Sequence, residues 1–450
     1  MINTLYLPEL REMLAANDAA QLRSFCTALH PGRTAEFMEA LTADETWAVF
    51  QHADPTTRVE IFRFFDPPKQ VEIVQSQPRD EMARFIGDLP PDDRVDLLNE
   101  VDPQVVDELL PLVPIEERRD ILRLRAYPES TAGAVMTTEV ARLSENLTVQ
   151  QTLDDLRTQA EHLETIYYLY IVDDADHLRG VVSTRRLVSS MDKPDLPLHE
   201  FMERELVTVH VTDDQEDVAN KVARYNLHAI PVVDDEHRVL GIITADDVID
   251  VVREEATEDA HRISAVDPLT QSYLQTDLLT LARKRALWLT ILFFGATLTA
   301  FALDHYNDDI LGNLEWLVLF IPLVISSGGN TGSQSATLII TALAVGDITL
   351  RDWSRVVWRE LLMGLLLGGF LATVGFLLAL WITPNVMSAA VVATTLLLVI
   401  ICGTLSGSLL PLLFQRLGLD PAMMSNPFVA GIIDILGIVI YMNVARSLLS

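Results

Sequence analysis

Asp434 lies inside an apolar run from Pro427 to Leu449, and no Lys or Arg stands at comparable depth. A lone carboxylate in hydrocarbon costs roughly 3 kcal/mol or more, so it needs a compensating group. Two states satisfy it: a protonated acid hydrogen-bonded to a neighbouring helix, or a carboxylate facing a cation. Asn426 and Ala430 precede it by eight and four residues and share its face on a helix, over ~12 Å of axis. That face offers oxygen alone, from a carboxylate, an amide and a carbonyl freed near the helix start. Oxygen ligands suit hard ions such as Mg²⁺ or Ca²⁺, and no Cys/His cluster points to zinc or copper. Mg²⁺ sheds water reluctantly, which favours a wide site meeting a still-hydrated ion. One Asp per chain is meagre for a divalent ion; two chains placing Asp434 about an axis balance the charge.

A second set of carboxylates lies earlier. Asp247, Asp250 and Glu254 are helical neighbours, as are Glu255, Glu258 and Asp259. Like charges this dense form either a solvated face or a divalent-cation site. A third unusual stretch is Ser326-Ser327-Gly328-Gly329-Asn330-Thr331-Gly332-Ser333-Gln334-Ser335, set within an apolar segment. It predicts either a helix that breaks around a wet cavity or a small-residue packing seam.

These groups need elements to hold them. Five segments are long and apolar enough to cross ~30 Å of hydrocarbon as helices: 286–303, 314–344, 361–383, 386–411 and 427–449. Arg283, Lys284 and Arg285 precede the first, Arg351, Arg355 and Arg359 separate the second and third, and Arg416 separates the fourth and fifth. The loops at 304–313 and 384–385 carry no Lys or Arg. Basic residues mark the cytoplasmic side, so the N-terminus is expected inside and the C-terminus outside, with Arg446 the exception. Ser425-Asn426-Pro427 reads as a helix cap with proline at the first helical position.

Before the membrane, prolines at 55, 67, 78, 90, 103 and 114 predict a stack of short helices, each begun by a proline. A second repeat spans about 136–252. Ile171-Val172-Asp173-Asp174 with Gly180-Val181-Val182-Ser183 recurs 61 residues later as Val232-Val233-Asp234-Asp235 with Gly241-Ile242-Ile243-Thr244. Each copy reads as strand, helix, strand, turn, strand, helix.

The charges are segregated. The chain has 450 residues and a net charge of −31 although 49% of it is hydrophobic; residues 1–280 hold 25 basic and 55 acidic side chains. A polyanionic surface repels phosphate backbones, which excludes nucleic acid as a partner. Cys26 and Cys402 offer no disulfide framework, as suits a reducing compartment. The N-terminus lacks the basic-then-apolar layout of a signal peptide, so the acidic part is expected in the cytoplasm. No Gly-x-x-x-x-Gly-Lys loop, HExxH motif or nucleophile–base pair stands out, which argues against a pump or an enzyme.

The 61-residue repeat resembles a tandem of CBS domains. That resemblance implies adenine-nucleotide binding through a Gly-h-h-Thr/Ser-x-x-Asp pattern (h, apolar). The second copy keeps it with Thr244 and Asp247; the first has Arg186 in place of the carboxylate a ribose hydroxyl needs. The whole order, together with Gly328–Thr337, Asp420-Pro421-Ala422 and Ser425-Asn426-Pro427 plus Asp434, resembles the MgtE family of magnesium channels. The implied organisation is a multidomain membrane protein: an all-α helical repeat (1–130), two α+β CBS domains (131–195 and 196–254), an acidic connecting helix (255–284) and an all-α five-span pore domain (285–450).

The resemblance implies a homodimer in the plasma membrane whose pore carries Mg²⁺, or related divalent cations, down its gradient and closes when cytoplasmic Mg²⁺ binds. It casts Asp434, Asn426 and Ala430 as pore residues and Gly328, Gly329, Asn330, Thr331, Gly332 and Gln334 as the pore-lining motif. Asp247, Asp250, Glu255, Glu258 and Asp259 match regulatory ligands, with Glu60, Asp92, Asp96 and Asp420 as their partners. Asn226 and Leu227 depart from the acidic and aromatic residues some members carry after Tyr225. An ion-coupled secondary transporter and a CBS-regulated membrane sensor are the competing readings.

Overall fold

A computed structural model describes residues 6–269, 273–274, 276–306 and 315–449. Residues 1–5, Asp308, Asp309 and Leu314, which entered the signal-peptide, loop and second-span readings, lie outside the described residues. The chain divides into two compact units, Met1–Val252 and Arg253–Ser450.

The first unit opens with short helices between Leu7 and Leu124. Prolines 55, 67 and 103 occupy the first turn of their helices, and prolines 78, 90 and 114 stand immediately before theirs. A proline there loses nothing, because the first amides have no intrahelical acceptor. One row stacks Pro31–Met38, Pro55–Phe62, Arg79–Asp88 and Pro103–Leu109; the other stacks Ala43–Phe50, Pro67–Ser76, Pro91–Glu100 and Ile115–Leu124. Phe50, Phe62, Ile73 and Phe85 fill the space between them.

A recurrent polar peg ties the rows. The fourth helical residue reaches back to carbonyls at the end of the preceding helix and in the turn after it. Arg58 donates to Phe50 O and Ala53 O, Gln70 to Phe62 O and Phe65 O, and Arg94 to Ile86 O, Gly87 O and Leu89 O. A helix end buried without such donors would be destabilised.

The two repeat copies form the rest of this unit. In the first, strand Arg142–Ser144 pairs parallel with Tyr168–Val172, which pairs antiparallel with Leu178–Ser183; in the second, Val209–His210, Ala229–Val233 and Val239–Thr244 repeat that order. The opening segments are exchanged: Thr137 pairs with Ile242 of the second copy, and Glu203 with Val181 of the first. This explains the glycine kept in each copy. A Cβ on Gly180 would lie 2.9 Å from Glu203 O, and one on Gly241 would collide with the Thr137 carbonyl. Asn226 ends the helix Gln215–Tyr225 at φ 52°, a left-handed conformation asparagine tolerates, while Leu227 packs against the second copy's core.

The helix Ala245–Ile263 follows directly. It carries the whole acidic run, but the helix expected over 255–284 stops at Ile263. Ala265 turns to φ 57°, and Val266-Asp267-Pro268 cannot continue a helix because proline lacks the donor and restricts its predecessor. The next helix, Leu278–His305, is fastened to this linker by Trp288 Nε1 donating to Asp267 Oδ1 at 2.9 Å.

In the second unit, Leu278–His305, Leu350–Ile382, Val386–Arg416 and Asn426–Leu449 are long and apolar enough to cross a membrane. Arg355 and Arg359 lie within the helix Trp353–Ile382 rather than in the loop before it. Trp316–Ala344 is long enough, at 29 residues, but the polar stretch at its middle lowers its hydropathy. That stretch does not break the helix. Ser327 and Thr331 return their hydroxyls to the carbonyls of Leu323 and Ser327, and the glycines form a seam instead. A Cβ on Gly403 would sit 2.7 Å from Gly328 O, and one on Gly407 would strike the Gly332 carbonyl.

Candidate functional site

The face Asn426–Ala430–Asp434 forms because its helix runs unbroken from Asn426 to Leu449 against the glycine seam. Ser425 does not act as the expected side-chain cap; its Oγ is buried without a hydrogen bond among the described residues. Asn426 is held from outside its own helix: Ser333 Oγ donates to its main-chain carbonyl and Thr337 Oγ1 to its Oδ1, both at 3.1 Å.

Gly329 packs beside the carboxylate. A Cβ there would lie 3.3 Å from Ala430 Cβ and 3.6 Å from Asp434 Oδ1. Asp434 is half-buried, and among the described residues it has neither a hydrogen-bond nor an ion-pair partner. The bond to a neighbouring helix that would shelter a protonated acid is therefore not made. Next to it on the seam helix, Ser326, Asn330 and Gln334 form an exposed polar stripe, with Asn330 Nδ2 donating to Ser326 Oγ at 3.3 Å. Gly328, Thr331 and Gly332 of the same motif are buried in the packing seam.

The first unit contains a second acidic centre, where the helical repeat meets the CBS copies. Burial pushes Asp92 up to about 6 and Asp93 up to about 7, with Glu164 adding repulsion to both. Burial also raises Asp247 to about 6, with Asp92 the next cause, and Glu139 to about 7, with Glu164 the next. Arg63 is the local counter-charge, 2.5 Å from Asp93. Among the described residues, Asp92 Oδ1 is buried without a hydrogen bond. Asp92 and Asp247 were expected from the sequence; Asp93, Glu139, Glu164 and Arg63 were not. Glu139 and Glu164 come from segments outside any helix or strand, so no periodicity exposes them.

The remaining expected ligands are dispersed. Glu60, Asp96 and Asp250 are exposed. Glu258 and Asp420 are brought together, but through Arg262, which forms ion pairs with both. Burial raises Asp259 to about 6 beside them, with Asp420 and Glu255 adding repulsion. Among the described residues, no three His, Cys, Asp or Glu side chains converge as a ready metal cage.

The two CBS copies differ at the motif carboxylate, Arg186 in the first and Asp247 in the second. Arg186 lies over the Phe201 ring at 6.0 Å where a ribose-binding carboxylate is needed. Asp247 spends Oδ2 on Thr244, accepting from its hydroxyl at 2.5 Å and its amide at 3.2 Å, and faces Asp92.

The chain is similar to known proteins along most of its length. Its residues 321–444 match the family described as divalent cation transporter, 29–130 the MgtE intracellular N domain, and 132–193 and 198–254 the CBS domain. It is 41% identical over 350 residues to the magnesium transporter MgtE of Thermus thermophilus, covering 77% of this chain and 76% of that one. The Enterococcus faecalis magnesium transporter MgtE is 36% identical, covering 73% and 72%. Among solved structures, the soluble part of a magnesium transporter matches at 33% identity and TM-score 0.52, covering 55% of this chain and 97% of that one. The cytosolic domain of the Mg²⁺ channel MgtE in complex with ATP matches at 33% and 0.50, covering 54% and 98%. Those full-length relatives are transporters rather than enzymes, and this chain belongs with them, in the MgtE family of magnesium transporters.

Proposed function

We propose that the chain forms a homodimeric channel in the plasma membrane through which Mg²⁺ enters the cell. The carrying observation is Asp434, a carboxylate without a partner among the described residues, on a face lined by Asn426 and Ala430. The exposed stripe Ser326–Asn330–Gln334 supports the dimer, because polar groups on a membrane helix need water or another chain. Two copies of Asp434 about one axis match the two charges of a hydrated Mg²⁺. The helix Trp316–Ala344 is the fifth span, with the acidic unit inside and the C-terminus outside.

A divalent cation entering an inside-negative cell gains roughly 4.6 kcal/mol per 100 mV, so no pump is required. Closure is linkage. Mg²⁺ binding at Asp92 and Asp247, and at Glu255, Glu258, Asp259 and Asp420, relieves repulsion among half-buried carboxylates and shifts the population to the closed state. An adenine nucleotide at the CBS copies would be held by the second copy, which keeps Thr244 and Asp247, while Arg186 replaces the matching carboxylate in the first.

Flux into liposomes with Mg²⁺ as the only divalent ion tests the pore. The parent passes Mg²⁺ and Asp434→Ala does not. Flux that persists in Asp434→Ala rejects the pore assignment, and flux that requires a proton gradient points to a coupled carrier.

A further inference from the structure

Glu360 is a carboxylate in the helix Trp353–Ile382 to which the transport reading gives no task. Its Oε2 accepts a 2.7 Å hydrogen bond from Ser335 Oγ, inside the polar motif of the helix Trp316–Ala344. Ser335 is only 5% exposed. Ser333 and Thr337, which hold Asn426, are one turn apart on a face turned about 200° from Ser335. One helix is thus pegged on two sides, to Asn426 in front and to Glu360 behind.

The peg itself is anchored. The main-chain carbonyl of Glu360 accepts from Thr404 Oγ1 at 3.2 Å. One turn on, a Cβ at Gly364 would fall 2.6 Å from Thr404 Oγ1 and 3.0 Å from Ile401 Cα, so these two helices have no room to slide. A glycine seam sets how closely helices approach, but its smooth surface does little to fix rotation. Directional bonds at Ser333, Ser335 and Thr337 supply that missing constraint.

We propose that Glu360 is a positioning residue: through Ser335 it fixes the rotation of the motif helix and thereby the placement of Asn426 at the mouth of the ion path. The consequence is selectivity between ions of one charge and different size, Mg²⁺ and Ca²⁺. The inference rests on the transport reading for its readout, while the bond is measurable without transport.

The test measures Mg²⁺ and Ca²⁺ flux in liposomes for the parent, Ser335→Ala, Glu360→Leu, the double variant and Glu360→Gln. Losing the bond lowers the Mg²⁺/Ca²⁺ ratio about threefold or more, the scale of one interhelical hydrogen bond. The double variant is no worse than the worse single one, and Glu360→Gln, which keeps a carbonyl acceptor, holds the parent's ratio. An unchanged ratio in Ser335→Ala overturns the proposal, as does a Glu360→Gln variant as impaired as Glu360→Leu. Thermal unfolding of the same variants reads the bond independently. A parent without Mg²⁺ flux rejects the transport reading, whereas purely additive stability losses at Ser335 and Glu360 reject the positioning role.

Discussion

At the scale of single residues, the site depends on the space beside one carboxylate. Gly329→Ala places a methyl 3.3 Å from Ala430 Cβ, which a small shift absorbs. Gly329→Val pushes into the Ala430–Asp434 face; Mg²⁺ flux is expected to fall at least tenfold while the protein still elutes like the parent, checked by liposome flux and size-exclusion chromatography. Flux equal to the parent's would mean the ion does not pass this face. Asp434 stood out in the sequence because an acid in an apolar run must be compensated, by a proton and a bond or by a cation. Glu360 did not: it stands near the start of its helix, beside Arg359, and nothing in the spacing announces Ser335 as its partner.

At the scale of elements, packing depends on features that sequence reveals unevenly. The proline period announced the stack of short helices, since proline tolerates few helical positions. The pegs were hidden, because an Arg at the fourth helical position looks like any solvated charge until its carbonyl partners are placed. Arg94→Ala strips donors from three carbonyls and is expected to cost about 2–4 kcal/mol, read as a lowered melting temperature of the whole chain. The equivalent loss at the exposed Glu100 should be within error. The motif at Ser326–Ser335 left both a broken helix and a packed seam open, and the choice required knowing that Gly403 and Gly407 lie opposite. Gly407→Val should prevent that crossing and leave no folded protein in detergent. Arg262 shows a further limit. The acidic run around Glu258 reads as a cation site, while the structure seats the chain's own guanidinium between Glu258 and Asp420. Arg262→Gln is expected to tighten Mg²⁺ binding by removing that competitor, measured by titration calorimetry.

At the scale of the whole molecule, charge decides the response to conditions. A carboxyl whose folded pKa lies above its unfolded value favours the fold while protonated, and that contribution is lost as pH climbs through the folded value. Asp92 and Asp247 at about 6, with Asp93 and Glu139 at about 7, place the loss in one window. Without divalent ions, the contact of the helical repeat with the CBS copies should be firmest below pH ~4 and loosen progressively up to pH ~7. Mg²⁺ should restore it at neutral pH. Hydrogen exchange in the helix Pro91–Glu100 follows both effects, and protection indifferent to pH and to Mg²⁺ would remove this centre from regulation. The charge segregation behind this was plain in the composition; the members contributed by Glu139 and Glu164 emerged only once distant segments were folded together.

The exchanged opening segments carry one more implication. Because Thr137 is stitched into the sheet of the second copy and Glu203 into that of the first, neither half can come apart without unzipping its sibling. The two copies must melt as one cooperative block, with no soft joint between them. The final strand of that block ends at Thr244 and runs straight into the helix Ala245–Ile263, which is therefore rooted in both copies at once.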